Sequence, residues 1–375
     1  MREPLYQINR DRIKPWNELP ELPIKAELYE SIEVLKKLGD AKAALARLQG
    51  RSSVIKNQGL LINSISLQEA KLSSAIENIF TTDDELYKAF SDQNIQVGGA
   101  SKEVLRYREA LWSGFHISSK NPFFSNEYFI KIFQEIKQTS DSFRPSFLET
   151  TIKHGGTGPN AGQVVYTPPR GKDIIEKKLN NLIEFVNDDE QYKIDHLLKM
   201  AIAHFQFEAI HPFRDGNGRA GRVFSIHYLT AKGLLDFPIL FMSRYILDHK
   251  TEYYSCLQGV SQRGNWTDWI LFILHAVENT ATITFNKIND IISAKDAILK
   301  HVKLDRKFLN ATELIEFIFN QPFTKVNHLV DGGLYAEKTS RKYLNDLCEM
   351  QVLEKKSIEG KHYYLNLELY RILSE

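Results

Sequence analysis

Between His211 and Arg222 the chain reads HPFRDGNGRAGR, and this short stretch gathers an imidazole, a carboxylate, three glycines and several arginines. Gly216, Gly218 and Gly221 have GxGxxG spacing. A dinucleotide fingerprint needs a strand before that motif, a helix after it and a βαβ context. Here the preceding residues have helical period, and no parallel-sheet pattern surrounds them. No GxxxxGK[ST] phosphate loop occurs either. The His-Pro, Asp-Gly and Asn-Gly pairs suit a plain turn, but the density of chemical groups favours a site.

The groups make sense together around a phosphate. Pro212 disfavours helical geometry at His211, so a helix breaks there and another starts beyond the glycines. The backbone N–H groups of Gly216, Asn217 and Gly218 then lie at a helix N-terminus, which attracts anions by geometry and dipole. Arg219, a cation in that first turn, opposes the dipole and is understandable if a phosphate lies beside it. Asp215 would repel that phosphate unless a cation such as Mg²⁺ bridges them. His211 is placed to accept the proton of an attacking hydroxyl. The set reads as metal-assisted phosphoryl or nucleotidyl transfer. The Phe213 ring is expected in the core.

The elements that must position these groups are mostly helical. Helices are expected over 25–49, over 66–80 and through VLRYREALWSGFHI, with the polar SDQNIQVGGASKE as separator. NPFFSNEYFIKIFQEIKQ follows as a helix after its Asn-Pro start. The Gly- and Pro-rich KHGGTGPNAGQVVYTPPRGKD holds a β-branched and aromatic run, Gln163 to Thr167, which suits a strand in a hairpin or flap. Residues 191–210 form a helix with Ile194, Leu197, Leu198, Ala201 and Phe205 at its period. The next helix runs from about Arg219 to Lys232 and stops at Gly233. TEYYSCLQGV and NWTDWILFILHAVENTATITFNKINDIISAKD continue the helical pattern. NATELIEFIFNQP reads as a capped helix. A helix, a Gly-Gly turn, a second helix and a hairpin tipped by Glu359-Gly360 then make a winged-helix order.

Bulk properties bound the reading. The chain has 375 residues, 43% hydrophobic and 25% charged, with a net charge of +1. That suits a globular protein of two or three domains and excludes a global field attracting nucleic acid or membrane. Cys256 and Cys348 read as reduced core residues of a cytoplasmic protein. The polar, proline-broken start lacks the apolar run of a signal peptide. No apolar run reaches the ~20 residues of a membrane span.

The stretch 211–222 resembles the Fic motif, HPFx[D/E]GNGRxxR, at every specified position. The resemblance extends through AHFQFEAIHPF and QVVYTPP, over roughly residues 60–280. The tail resembles that of the longer bacterial Fic proteins. Upstream, SSAIEN (Ser73 to Asn78) is similar to the Fic inhibitory motif [S/T]xxxE[G/N], with Ser73, Glu77 and Asn78 in its defined places.

The resemblance implies a mainly α fold: a Fic-type helical core with a small β-hairpin flap, plus a C-terminal winged-helix domain. It divides the chain into an N-terminal helical region with an inhibitory helix (1–115), a catalytic core (116–285) and a winged-helix-like domain (286–375). It implies transfer of AMP from ATP to a Tyr, Ser or Thr hydroxyl of a target protein, or of the chain itself, with release of pyrophosphate. His211 would be the general base and Asp215 would hold Mg²⁺. Gly216, Asn217 (with its side chain) and Gly218 would form the anion hole. Arg219 would hold the phosphates and Arg222 would reach the γ-phosphate, with Phe213 and Arg214 adding nucleotide contacts. Tyr254 would cover the adenine, or sit in the core as an ordinary helix aromatic. Val164, Val165, Tyr166 and Thr167 would add a strand to the target's backbone. Glu77 would pair with Arg222 and block the γ-phosphate.

A homodimer is expected. The winged helix is open to DNA or protein contact: Lys325, Lys338, Arg341 and Lys342 are basic, but Glu337, Asp346 and Glu349 dilute them. Two other readings stand beside transfer. The same site could remove AMP or move another phosphoester, or a winged-helix regulator could sense nucleotide through it.

Overall fold

Helix α7 (His196–Ile210) is buried on every face, although the sequence period expects one buried stripe. Met200, Ile202, Ala203 and Phe207 are as buried as Leu197 and Ala201. A helix apolar all round belongs in the centre of its domain. Two of its buried polar side chains donate outward: Lys199 to Asp189 at 2.7 Å and Gln206 to the carbonyl of Pro20 at 2.8 Å. Asp195 caps its first turn by accepting from the N–H of Leu197 at 2.9 Å, so the helix starts later than residue 191.

The computed structural model describes residues 4–53, 55, 64–91, 98–145, 147–153, 161–305, 307–358 and 360–375. The separator at 92–97, the glycine-rich 154–160 and the hairpin-tip residue Glu359 lie outside the described residues. Before α7 come α1 (Ile32–Ser53), α2 (Ser66–Ile76), α3 (Asp83–Ser91), α4 (Gly99–Lys120) and α5 (Asn126–Lys137). Strands β1 (Ile152–Lys153) and β2 (Val164–Tyr166) follow, then α6 (Lys172–Asn187). After α7 come α8 (Asn217–Ala231), α9 (Met242–Asp248), α10 (Lys250–Arg263) and α11 (Trp266–Leu304). The C-terminal unit is α12 (Ala311–Ile318), β3 (Phe323–Thr324), α13 (Val326–Asp331), α14 (Glu337–Glu349), β4 (Leu353–Ile358), β5 (Lys361–Asn366) and α15 (Leu367–Ser374). The fold is thus mainly helical, with two small antiparallel sheets.

Local chemistry sets several boundaries. Helix α5 starts at Asn126, not at Asn121-Pro122, because Ser125 accepts from the N–H of Tyr128. Helix α8 stops as expected: Gly233 has φ 70°, and the N–H of Leu234 bonds back to Leu229 at 2.9 Å, a Schellman-type end. Helix α12 lacks the expected side-chain cap, and Asn310 takes left-handed backbone geometry at its start instead. The expected divisions near residues 115 and 285 both fall inside continuous helices, α4 and α11. Cys256 and Cys348 are free and half-buried, on α10 and α14 respectively.

Strand β2 pairs antiparallel with β1, Ile152 opposite Tyr166. In the C-terminal unit the strand order is β3-β5-β4, with Leu353 opposite Asn366 and Phe323 opposite Leu365. This unit rests on the segment that includes α2 and α3. Ser91 donates to the carbonyl of Phe323 at 3.2 Å, and His328 Nε2 meets the carbonyl of Ser91 at 3.0 Å. Ser64 donates to the carbonyl of Asn320 at 3.1 Å. Among the described residues, no helix is long and apolar enough to cross a membrane.

Candidate active site

Helix α7 ends at His211 because the next residue is proline. His211 adopts a left-handed conformation, φ 51° and ψ 59°, which is unusual for a residue with a side chain. The surroundings hold it there. Arg144, 1% exposed, donates through Nε to the carbonyl of His211 at 2.8 Å. Its NH2 reaches the carbonyls of Ile210 and Pro169. A buried cation thereby satisfies the orphan carbonyls of the helix C-terminus. Phe213 is fully buried and stacks on Phe133 at 4.1 Å between centroids. Asn217 accepts from the N–H of Phe213 and donates to its carbonyl, both at 2.9 Å. Gly216 then turns at φ 77°, the left-handed region that suits glycine, and α8 begins.

The His211 ring is set up as a neutral base. Nδ1 lies 3.3 Å from the carbonyl of Glu208. A carbonyl only accepts, so Nδ1 carries the proton and Nε2 is left to accept one. Burial, with the Arg144 charge beside it, pushes the imidazole down to about 4. A base of this kind stays competent far below the ordinary histidine range. In a Glu77→Gly chain, the acid limb of kcat/KM for a reaction that uses this base is therefore expected near pH 4. Activity already falling at the ordinary 6.5 would contradict the assignment.

Three charged groups of the motif, Asp215, Arg219 and Arg222, already have partners. Asp215 accepts from Lys137 at 2.6 Å and from the N–H of Gly216 at 2.6 Å. Burial opposes its charge, but Lys137 holds the carboxyl below its usual range. Arg219 is buried and donates to Glu103 at 2.8 Å. Arg222, 1% exposed, donates from Nε to the Ser73 hydroxyl at 2.8 Å. Its NH2 donates to the Ser73 carbonyl at 3.0 Å and to Glu77 Oε1 at 2.9 Å. Against burial, the Glu77 carboxylate keeps this guanidinium firmly charged.

Glu77 sits at the C-terminal end of α2, a well-anchored helix. Glu69, two turns earlier, accepts from Tyr107 at 3.2 Å and from the N–H of Ser243 at 3.2 Å. Asn78 takes a left-handed turn and accepts from Lys250 at 3.3 Å.

Gly218 leaves room on α8 for the Glu77 carboxylate. A Cβ there would stand 2.5 Å from Glu77 Oε1 and 3.0 Å from Arg222 NH1. Gly218→Ala is expected to destabilise the chain by about 1–3 kcal/mol through this clash. In a Glu77→Gly background most of that cost should vanish. Denaturant titration of the four chains of the cycle measures the coupling, and simple additivity would contradict the contact.

Glu77, His211, Gly218 and Arg222 share one cavity of about 260 Å³. Tyr254 stands at its wall, 39% exposed. Val165 and Tyr166 of the flap close another side, with Tyr166 fixed by its hydroxyl to the carbonyl of Ala209 at 2.7 Å.

Several expected roles are corrected. The Asn217 side chain is spent on the Phe213 backbone, so only its N–H remains for an anion. Phe213 is the core anchor its ring predicts, and the nucleotide contact implied for it has no place on the cavity wall. Arg214 is exposed and also outside that wall. Thr167 is committed to the N-terminal segment, its hydroxyl to the carbonyl of Arg12 and its carbonyl to the N–H of Trp16. Strand pairing by the flap is thus left to 164–166. Lys137, Glu103, Arg144, Glu208, Tyr253 and Ser261 have no counterpart in the sequence reading. The first three come from 67 to 116 positions away, and no local pattern joins them to the motif.

Three family descriptions match the chain in order. Residues 35–116 match the Fic/DOC family N-terminal region, and 123–229 match the Fic/DOC family. Residues 295–369 match the C-terminal domain of SoFic-like protein adenylyltransferases. The chain belongs to the Fic family. Protein adenylyltransferase Fic of Aedes aegypti is 23% identical over 257 residues, 68% of this chain and 46% of that protein. Protein adenylyltransferase fic-1 of Caenorhabditis elegans is 27% identical over 105 residues, 28% of this chain and 19% of that protein. The matches thus span less than half the length of these curated relatives. A Fic family protein from Desulfovibrio desulfuricans G20 shares the fold, with a TM-score of 0.55 at 19% identity. It is covered over 98% of its chain and 92% of this one.

A divalent cation can be tested against this Fic site. Among the described residues no group of three or more His, Cys, Asp or Glu could cage a metal. Asp215 offers a single exposed carboxylate beside the helix N-terminus. One carboxylate plus substrate phosphates is how Mg²⁺ usually binds, so the residues fit an ion that arrives with a nucleotide. Lys137 would have to share or yield one carboxylate oxygen.

Proposed function

We propose that this chain transfers AMP from ATP to a hydroxyl of a target protein, or of itself, and that Glu77 holds it inactive. The observation that carries the reading is one cavity in which a neutral, oriented His211 faces an Arg222 tied down by Ser73 and Glu77. The names of the relatives, protein adenylyltransferases, support the same chemistry.

The nucleotide's α-phosphate would lie on the N–H groups at the start of α8. His211 Nε2 takes the proton of the target hydroxyl as its oxygen attacks the α-phosphorus. The bond from that phosphorus to the bridging oxygen breaks, and pyrophosphate leaves. Positioning and charge neutralisation do the work, with no covalent enzyme intermediate. Mg²⁺, held by Asp215, would neutralise phosphate charge when bound. The edge of Val164–Tyr166 that pairs with no strand among the described residues would align the target's backbone. Arg222, freed from Glu77, would bind the γ-phosphate as a charge-assisted donor.

The C-terminal unit has the helix and hairpin order of a winged helix. On α14, Arg341 pairs with Glu337 at 2.6 Å, which partly neutralises the stripe that DNA contact would need. We favour protein contact for this unit.

Product analysis tests the reaction class. The Glu77→Gly chain, incubated with Mg²⁺, ATP and cell extract as target source, is expected to release pyrophosphate in step with AMP bound to protein. Release of orthophosphate with phosphate on protein would replace AMP transfer by phosphotransfer.

A further inference from the structure

Strand β2 of the flap has little of its own to hold it. Among the described residues it pairs only with the two-residue β1, and the register between them is irregular. A two-stranded hairpin of this size is marginal by itself, so what fixes 164–166 against His211 comes from outside the sheet. The Tyr166 hydroxyl on the carbonyl of Ala209 is one tie. Arg144, bonded to the carbonyls of both His211 and Pro169, is a second.

The third tie is the N-terminal segment, which the transfer step above does not use. Residues 10–14 are exposed, but Tyr6, Asn9 and Trp16 on either side of them are buried. One end of the segment is fixed to α10 and the start of α11. The N–H of Asn9 donates to the carbonyl of Ser261 at 2.7 Å, and the Tyr6 ring meets Trp266 edge-on at 5.3 Å between centroids. The other end is fixed to the flap. The N–H of Trp16 donates to the carbonyl of Thr167 at 3.0 Å. The Thr167 hydroxyl reaches the carbonyls of Arg12 and Ile13 at 2.7 and 3.0 Å. Asn17 Oδ1 accepts from the N–H of Arg170 at 2.8 Å. Ser261 and Tyr166 both line the cavity, so the segment joins two of its walls.

Between those ends the aromatic rings form one row. Phe205 of α7 packs on Trp266 at 4.8 Å, Trp266 on Tyr6, Tyr6 on Trp16 at 6.3 Å, and Trp16 on Tyr166 at 6.1 Å, each pair edge to face. Trp16 is the ring that connects this row to the flap, and it does so with its backbone N–H as well. A flap that drifts by about 1 Å moves the target hydroxyl with it, and misplacement of that size can cost about a hundredfold in rate.

We propose that Trp16 is a positioning residue: it clamps β2 to the α10–α11 wall and thereby sets where the flap presents the target hydroxyl to His211. The inference rests on the reading in which the flap aligns the target's backbone.

The test uses the full-length Glu77→Gly chain and three readouts: AMP label placed on cell-extract proteins, the ATP dissociation constant, and hydrogen exchange of the 164–167 amides. Adding Trp16→Ala is expected to lower protein label by about tenfold to a hundredfold and to speed flap exchange, with ATP affinity and exchange in α8 unchanged. Trp16→Phe, which keeps a ring in the row, should restore most of the label. Thr167→Val keeps the side-chain shape and loses both hydroxyl bonds, so it should lower label in the same direction and serves if Trp16→Ala does not fold. Val164→Pro, which breaks the flap strand itself, separates the two readings. Label lost in Val164→Pro but kept in Trp16→Ala, or in Thr167→Val where Trp16→Ala does not fold, would overturn the inference and leave the flap reading standing. Label kept in Val164→Pro would overturn the flap reading and this inference with it. A fall in ATP affinity as large as the fall in label would make Trp16 a general structural residue and also overturn the inference.

Discussion

Glu77→Gly is expected to raise AMP transfer by about a hundredfold. In the resting chain the Arg222 guanidinium spends NH2 on Glu77 and the Ser73 carbonyl, and Nε on the Ser73 hydroxyl. A γ-phosphate must displace Glu77 to use that guanidinium. Removing one partner of a buried ion pair costs about 3–5 kcal/mol. The Glu77 side chain is 34% exposed, which sets this pair at the lower end. About 3 kcal/mol, at 1.4 kcal/mol per tenfold, is about two orders of magnitude in rate. The same change leaves Arg222 buried and short of a partner, so the variant should also be less stable without nucleotide and recover stability when ATP is added. Initial rates of AMP incorporation and thermal unfolding with and without ATP measure both effects. An unchanged rate would mean that Glu77 is a structural partner of Arg222 and no brake.

Adding His211→Ala to that active variant should lower transfer by about 10²–10⁴-fold, the usual worth of a positioned general base. Nucleotide binding should survive, since the N–H groups of α8 and Arg222 remain. Separating the two requires both the rate and the ATP dissociation constant. A loss confined to affinity would make His211 a wall of the cavity and leave proton removal to another group.

The parts of this site that were legible in the sequence are contiguous. The break at Pro212, the glycine turn and the N-terminus of α8 follow from residues within one short segment. Glu77 was readable through the resemblance of Ser73, Glu77 and Asn78, at the end of α2, to a family motif. The strand at 164–166 was readable from Val164, Val165 and Tyr166 between turn residues. What holds the site was not legible. Arg144 clamps the His211 turn, Lys137 pairs with Asp215 and Glu103 with Arg219, and each reaches the motif through tertiary packing alone. The Asn217 side chain was misassigned because an asparagine in a phosphate nest and one that staples its own loop look the same in sequence. Helix α6 is a different case. Its buried Ile175, Leu179, Leu182 and Val186 keep helical spacing and were available to the same rule that found α7. The all-round burial of α7 depends on α6, α8 and α11 closing over it, which no single-helix pattern reports.

The most direct test follows label from ATP onto protein in wild type, Glu77→Gly and Glu77→Gly/His211→Ala, with ATP labelled at the α- or the γ-phosphate in separate runs. The account predicts protein label from α-labelled ATP alone, low in wild type, strong in Glu77→Gly and lost in the double variant. Equal label in wild type and Glu77→Gly, or label from the γ-phosphate, would contradict it.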